Sequence, residues 1–429
     1  MADVEKVFDA GGFPEYTYVD RERRRLEERL EKALDSSTPG VSVIGPSKSG
    51  KTVLIQNVAW EQELNLIQIR GPNIDSVKGF WNAVLDELDV PDDFEEHVTE
   101  STESGTATTG GVRPQGTGVE HTEDKRETKA GGQTRTYSRD GLRDVIDHKR
   151  SGEIILLLDD FHYIEERELK KSIAQSIKGA IEEEIRVCVA FVTHRGETLQ
   201  QLCPDLDSRV MTIRCEQWSE EELKEIIDRG ESELNVNFPD WLKERLAANA
   251  IGSPMVMQRL CAAACREGGI EQSQDDSSTP VKLDVDRDDF DEIIGEAADW
   301  MGKRGVVRKM AGGIHDSGRV EYDYGGNQKN DTYILGLRAI ASGSSTRSFR
   351  FQDLKQRIQE DCVGDHPNAT QIENFCDQIE NIAEEERPGE NLVEWDTDEK
   401  MLLISDPELL FLIRYLMRDD DFEERLLFF

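Results

Sequence analysis

Eight consecutive residues, Gly45-Pro46-Ser47-Lys48-Ser49-Gly50-Lys51-Thr52, follow the pattern G-x-x-x-x-G-K-[ST]. Glycines let backbone N–H groups close on phosphate oxygens, and a helix opening after the loop adds free N–H groups and its dipole. Lys51 in this pattern neutralises β- and γ-phosphates, and Thr52 offers its hydroxyl to Mg²⁺. A second acidic site, Asp159-Asp160, directly follows the apolar run Ile154 to Leu158. A buried parallel strand delivers such carboxylates to the C-terminal edge of its sheet, beside the phosphate loop. Asp159 is the candidate to hold Mg²⁺ through water, and Asp160 the candidate base that activates water. The plain structural alternative is an N-cap pair opening the next helix.

These groups need a sheet beneath them, and the apolar runs supply one. Residues 41–45 (VSVIG), 64–71 (LNLIQIRG), 153–160 (EIILLLDD), 187–194 (VCVAFVTH) and 210–216 (VMTIRCE) read as strands. Helical patterns separate them, one starting at Lys51 with Val53, Leu54, Val58 and Ala59 inward. Strands alternating with helices predict an α/β fold with a five-stranded parallel sheet over residues 13–217. Within it, residues 97–139 are rich in Thr, Gly, Ser and Glu, and read as a disordered insertion. Residues 218–270 turn all-helical, as a lid. A linker and connector follow over 271–330. Three helices, two short strands and an apolar helix over 331–429 predict a winged-helix domain.

The composition sets limits on partners. The 429 residues suit about three domains. Asp and Glu number 89 against 52 Lys and Arg, a net charge of −37, and only 19 of the basic residues are Lys. That field repels nucleic-acid phosphate. The acid excess is spread along the whole chain. Its self-repulsion is screened within about 3 Å in molar salt, so the composition resembles that of halophilic proteins. The seven Cys form no C-x-x-C pair and read as buried thiols of a reducing compartment. The acidic N-terminus and the lack of an 18-residue apolar run predict a cytoplasmic protein that no membrane holds.

More specifically, the chain resembles the STAND and AAA+ branch of P-loop ATPases, and within it prokaryotic ATPases with an origin-recognition-like core. Tyr18-Val19-Asp20-Arg21-Glu22 resembles the F-V-G-R-E box that lines the adenine pocket, with Asp20 in place of Gly. The phosphate loop and Asp159-Asp160-Phe161-His162 are the second and third positions of resemblance. Thr193-His194 stands where the family carries its first sensor, or else caps a strand. Gly252-Ser253-Pro254 resembles the G-x-P motif through which lids touch adenine, or else Pro254 simply opens a helix. Arg209 stands where relatives hold an arginine finger, or else pairs on the surface with Asp205 or Asp207. His162 reads as a packed or capping side chain. The resemblance implies ATP or ADP with Mg²⁺ at Val19, Arg21, the loop residues 45–52 and Pro254. It implies that Asp160, one methylene shorter than the family's Glu, hydrolyses slowly.

The family resemblance implies a nucleotide-driven switch that acts through a protein partner or self-association, in signalling or antiviral defence. A DNA-handling loader of origin-binding or transposition type, and a nucleotide-holding scaffold without turnover, stay open as alternatives. Against the loader, the third winged-helix helix (368–386) carries Glu373, Asp377, Glu380, Glu384, Glu385 and Glu386 and no Lys or Arg. Arg304, Arg308, Lys309, Arg347 and Arg350 are the residues that could form a basic patch. Thermal unfolding is expected to shift upward from dilute buffer to molar KCl; a flat or falling Tm would contradict the reading of the acid excess.

Overall fold

All five apolar runs form strands of one parallel sheet: β1 (Gly40–Gly45), β2 (Asn65–Arg70), β3 (Ile154–Asp159), β4 (Arg186–Val192) and β5 (Val210–Arg214). The order across the sheet is β2-β3-β4-β1-β5. β1 runs beside β4 from Gly40↔Val187 to Gly45↔Val192. The computed structural model describes residues 2–21, 24–36, 40–91, 93–99, 132–149, 153–164, 166–192, 198–274, 279–313, 319–324, 328–343 and 346–418.

Alternation along the inner strands builds two cores. Val41, Val43, Ile155 and Leu157 face one side, where α1 (Leu26–Leu34) and α2 (Lys51–Glu61) cover them with Leu30, Leu54 and Ile55. Ile44, Leu156, Leu158 and Phe191 face the other, under α3 (Val77–Glu87) and α4 (Arg167–Glu182) with Phe80 and Ile177. β1 and β3 are buried throughout, as continuous apolar runs of a parallel sheet must be. Regular structure extends into both ends of the segment read as an insertion. Asp93–Thr99 and Gly132–Ser138 pair as antiparallel strands, while 100–131 lie outside the described residues.

The rest of the chain shares a third core. The lid is α5 (Glu220–Leu234), α6 (Asp240–Asn249) and α7 (Pro254–Glu267). The connector is mainly two helices, α8 (Phe290–Asp299) and α9 (Arg304–Gly312). Then come α10 (Thr332–Ala341), β6 (Ser348–Arg350), α11 (Phe351–Asp361), α12 (Ala369–Glu386), β7 (Val393–Asp396), β8 (Met401–Ile404) and α13 (Pro407–Met417). The antiparallel sheet order is β6-β8-β7. β6 is a third strand absent from the sequence reading, since three residues carry no legible alternation. α13 is largely apolar and is buried at every position except Arg414, with Leu409, Leu410, Leu412 and Ile413 fully enclosed. One continuous core runs from Leu223 and Leu260 in the lid through Ile293 and Val307 to Leu412.

The first twelve residues, left outside the sequence-derived core domain, join that third core through Val4, Val7 and Phe8. Phe8 packs where α5 carries Gly230, and a Cβ there would lie 2.1 Å from the Phe8 ring. Among the described residues no helix is long and apolar enough to cross a membrane. Gly230→Ala is expected to push the N-terminal segment off the lid and to cost about 1–3 kcal/mol, seen as a lower Tm. An unchanged Tm would show that this packing is slack.

Candidate functional site

The phosphate loop leaves β1 at a tight crossing. Cys215 N donates to Ile44 O at 2.7 Å, and a Cβ on Gly45 would sit 2.1 Å from Cys215 O. Only glycine fits there. The loop then passes through left-handed conformations at Lys48 (φ 56°) and Gly50 (φ 88°), the latter capping α2. Lys51 is buried and its Nζ donates to Pro46 O at 2.7 Å and to Gly45 O at 3.3 Å. Burial pushes the Lys51 ammonium below its ordinary pKa. A cation held at low dielectric over carbonyls is poised to accept a stronger anionic partner.

Asp159 sits at the end of β3, as expected from its run. Its Oδ2 accepts from Thr52 Oγ1 at 2.8 Å and Gln68 Nε2 at 3.0 Å, and its Oδ1 from Asp160 N at 3.0 Å. A carboxylate and a hydroxyl brought together are hard oxygen donors that suit Mg²⁺. Thr52 and Asp159 would hold the ion, which would supply charge neutralisation for phosphate oxygens. Asp160 takes a left-handed conformation (φ 55°), and its side chain makes no capping hydrogen bond to the turn Phe161–Tyr163. Burial first, and then the charge of Asp159, raise its pKa above the usual carboxylate value. A raised carboxyl is a better proton acceptor than an ordinary aspartate. Burial also lowers the His162 imidazole to about 4, so this side chain stays neutral at pH 7.

A cavity of about 550 Å³ runs from this loop to the lid. Ser47 to Thr52, Asp159 and Asp160 line one end; Val19, Leu26, Ile226, Pro254 and Met255 line the apolar other end. Asp20 needs no positive φ, so this turn does not require the glycine found in the resembling box. Arg21 lines the cavity too, but its guanidinium is largely engaged with the lid. Nε reaches Glu222 Oε1 at 3.1 Å, Nη1 reaches Glu216 O at 3.2 Å, and the group lies 4.8 Å over the Trp218 ring. Trp218 in turn donates from Nε1 to Ser49 O at 3.0 Å, tying lid to loop. Pro254 both opens α7 and lines the cavity, with Ser253 as N-cap.

One sequence candidate does not join this cluster, and another cannot be placed. Thr193 lies outside the described residues, as does His194. Arg209 precedes β5, at the N-terminal edge of a parallel sheet whose loop lies at the C-terminal edge. It pairs with Glu182 Oε1 at 2.8 Å, and not with Asp205 or Asp207. Of the residues suggested for a basic patch, Arg304 pairs with Asp299 at 2.5 Å, and Arg347 is buried at the loop.

Sequence reasoning missed the residues that the C-terminal domain brings to the loop. Asp406 and Glu408, at the start of α13, are buried against Lys48. Lys48 Nζ lies 2.9 Å from Asp406 Oδ2 and bonds Glu408 Oε2. Lys303 Nζ reaches Glu408 Oε2 at 2.7 Å, and Arg259 Nε reaches Glu408 Oε1 at 3.1 Å. Arg347 Nη1 donates to Ser47 O at 2.9 Å. Tyr163 OH donates to Glu390 O at 3.1 Å. Burial opposes ionisation of Asp406 and Glu408, yet Lys48 and Lys303 hold both carboxyls below their ordinary values. In the sequence, Asp-Pro-Glu reads only as a helix start, and Asp406 does cap Leu409 N at 2.8 Å. No spacing links it to residue 48.

The family model described as "ATPase family associated with various cellular activities (AAA)" matches residues 41–215. No curated protein matches the chain. Among solved structures, Cdc6p of Pyrobaculum aerophilum is 14% identical with a TM-score of 0.41, over 96% of this chain and 98% of that one. A Walker-type ATPase of Pyrococcus abyssi is 13% identical with a TM-score of 0.48, over 95% and 99%. The RuvB Holliday junction branch migration motor of Thermotoga maritima is 17% identical with a TM-score of 0.36, over 70% and 79%. Lys51→Met is expected to abolish nucleotide binding while the nucleotide-free protein melts at the same or a higher temperature, since a buried ammonium is removed. Calorimetric titration and thermal unfolding check both halves; retained binding would contradict the site.

Proposed function

We propose that the chain is an ATP-dependent switch of the STAND type; the match of residues 41–215 to the AAA family model supports the ATPase part of this reading. Its nucleotide state governs whether the winged-helix domain stays docked on the phosphate loop. One observation carries the reading: Lys48, within the loop itself, is held by Asp406 and Glu408 of the C-terminal domain. A triphosphate brings several negative charges to the same loop. They repel the two carboxylates and compete for Lys48, so nucleotide charge acts directly on the docking contact. Mg²⁺ held by Thr52 and Asp159 would neutralise part of that charge, so the contact would read the state of the bound nucleotide.

Asp160 as the base gives slow hydrolysis, which suits a switch better than a motor. The released winged-helix domain then offers its surface to a protein partner or a second copy. The DNA-handling reading draws little support from this surface. α12 is acidic, and Arg304 and Arg347 are engaged within the fold.

The ionic contact is expected to hold across neutral pH. Both carboxyls titrate below the ordinary 3.8 and 4.5, so their contribution is present above those values and lost as pH falls through the lowered ones. Glu408→Lys should release the winged-helix domain without any nucleotide. Small-angle scattering in molar KCl should then show a larger radius of gyration, and bound fluorescent ADP should exchange faster. A variant as compact as wild type, with wild-type exchange, would contradict the switch.

A further inference from the structure

Two amides beside Asp159 join it and Thr52 in one set of side-chain hydrogen bonds. Gln56 stands one helical turn after Thr52 on α2, on the same face, and Gln68 lies on β2, the strand beside β3. Gln56 Nε2 donates to Gln68 Oε1 at 3.2 Å, and Gln68 Nε2 donates to Asp159 Oδ2 at 3.0 Å. Thr52 Oγ1 donates to the same oxygen at 2.8 Å. All four residues line the cavity. Two residues of α2 thus converge on one carboxylate oxygen, Thr52 directly and Gln56 through Gln68.

The carboxylate sets the direction of each amide in this set. An ionised Asp159 only accepts, so the arm of Gln68 that faces it must be Nε2. Gln68 then presents Oε1 to Gln56, and the facing arm of Gln56 must be Nε2 as well. A flip of either amide would set two acceptors against each other, which is costly. Asp159 Oδ1 accepts from Asp160 N at 3.0 Å, so donors from α2, β2 and the turn after β3 together fix the plane of the carboxylate. They use most of its roughly four acceptor sites and leave room for a cation or its water.

We propose that Gln68 positions the Asp159 carboxylate for a divalent cation, and that Gln56 sets the direction in which Gln68 does so. This inference rests on the reading of Thr52 and Asp159 as the cation site, and it adds the residues that hold that site's carboxylate in place. Hydrogen-bond partners of a metal-binding carboxylate are worth about 10–100-fold in metal affinity. Gln56→Glu separates this relay from simple electrostatics. Coulomb attraction alone makes an added negative charge near the site tighten cation binding. The relay demands the reverse sign. The new carboxylate draws Nε2 of Gln68 to itself and turns Oε1 against Asp159.

The test is the affinity of the full chain for a non-hydrolysable ATP analogue in molar KCl, measured with Mn²⁺ and with EDTA by competition against fluorescent ADP. The quantity read is the ratio of the two affinities. It is taken within a single protein, so a general loss of nucleotide binding does not alter it. Wild type is expected to bind more tightly with Mn²⁺. Gln68→Leu should lower that ratio about tenfold. Gln56→Glu should lower it too, and decides the matter if Gln68→Leu does not fold. An unchanged ratio in Gln68→Leu, or a ratio in Gln56→Glu at or above the wild-type value, overturns the inference alone. A wild type that binds the analogue equally with Mn²⁺ and with EDTA, or not at all, overturns it together with the cation-site reading.

Discussion

Five charged side chains from four parts of the chain meet at the phosphate loop: Lys48, Arg259, Lys303, Asp406 and Glu408. The loop, the helical segment after the sheet, the connector and the C-terminal domain each contribute. Buried charges are costly unless paired, and the loss of one partner leaves the others uncompensated at about 3–5 kcal/mol. The group therefore behaves as a unit. It ties the C-terminal domain to the loop.

The apolar packing makes this ionic contact consequential. The helices α5–α7, the connector and the C-terminal domain share one core, so α13 cannot leave the loop as a loose strap. It leaves with the body it is packed into. The ATPase sheet has its own two cores on either face and meets that body mainly through polar contacts at the loop, the Trp218–Ser49 bond and the Tyr163–Glu390 bond. Large apolar cores that stay intact, joined by a polar seam, are what a movement between two discrete arrangements needs.

Local chemistry was legible in the sequence; long-range chemistry was not. The loop 45–52 and Asp159 are announced by strand, glycines and spacing, and Thr52 and Asp159 do meet at 2.8 Å. The five strands followed from short segments rich in apolar residues. By contrast, residue 48 and residue 408 are 360 positions apart, and nothing in either neighbourhood records the other. Gln56 looks like any polar residue in a helix until its partner is seen. Arg209 was placed by family position, and the sheet puts it at the edge opposite the loop, paired with Glu182. The N-terminal helix Val4–Val7 is too short for its periodicity to announce a role in the lid core.

The central claim, that nucleotide state governs the docking of the winged-helix domain, is tested most directly by a distance across the seam. Spin labels at Trp60→Cys on α2 and Asp398→Cys in the β7–β8 turn, both exposed positions, report that distance. Among the seven cysteines only Cys362 is not buried, and Cys362→Ser removes its interference. Pulsed dipolar spectroscopy with ADP should give one narrow distance, and a non-hydrolysable ATP analogue with Mg²⁺ should add a distinct longer one. A single unchanged distance in both nucleotides, with both shown to be bound, would contradict the account.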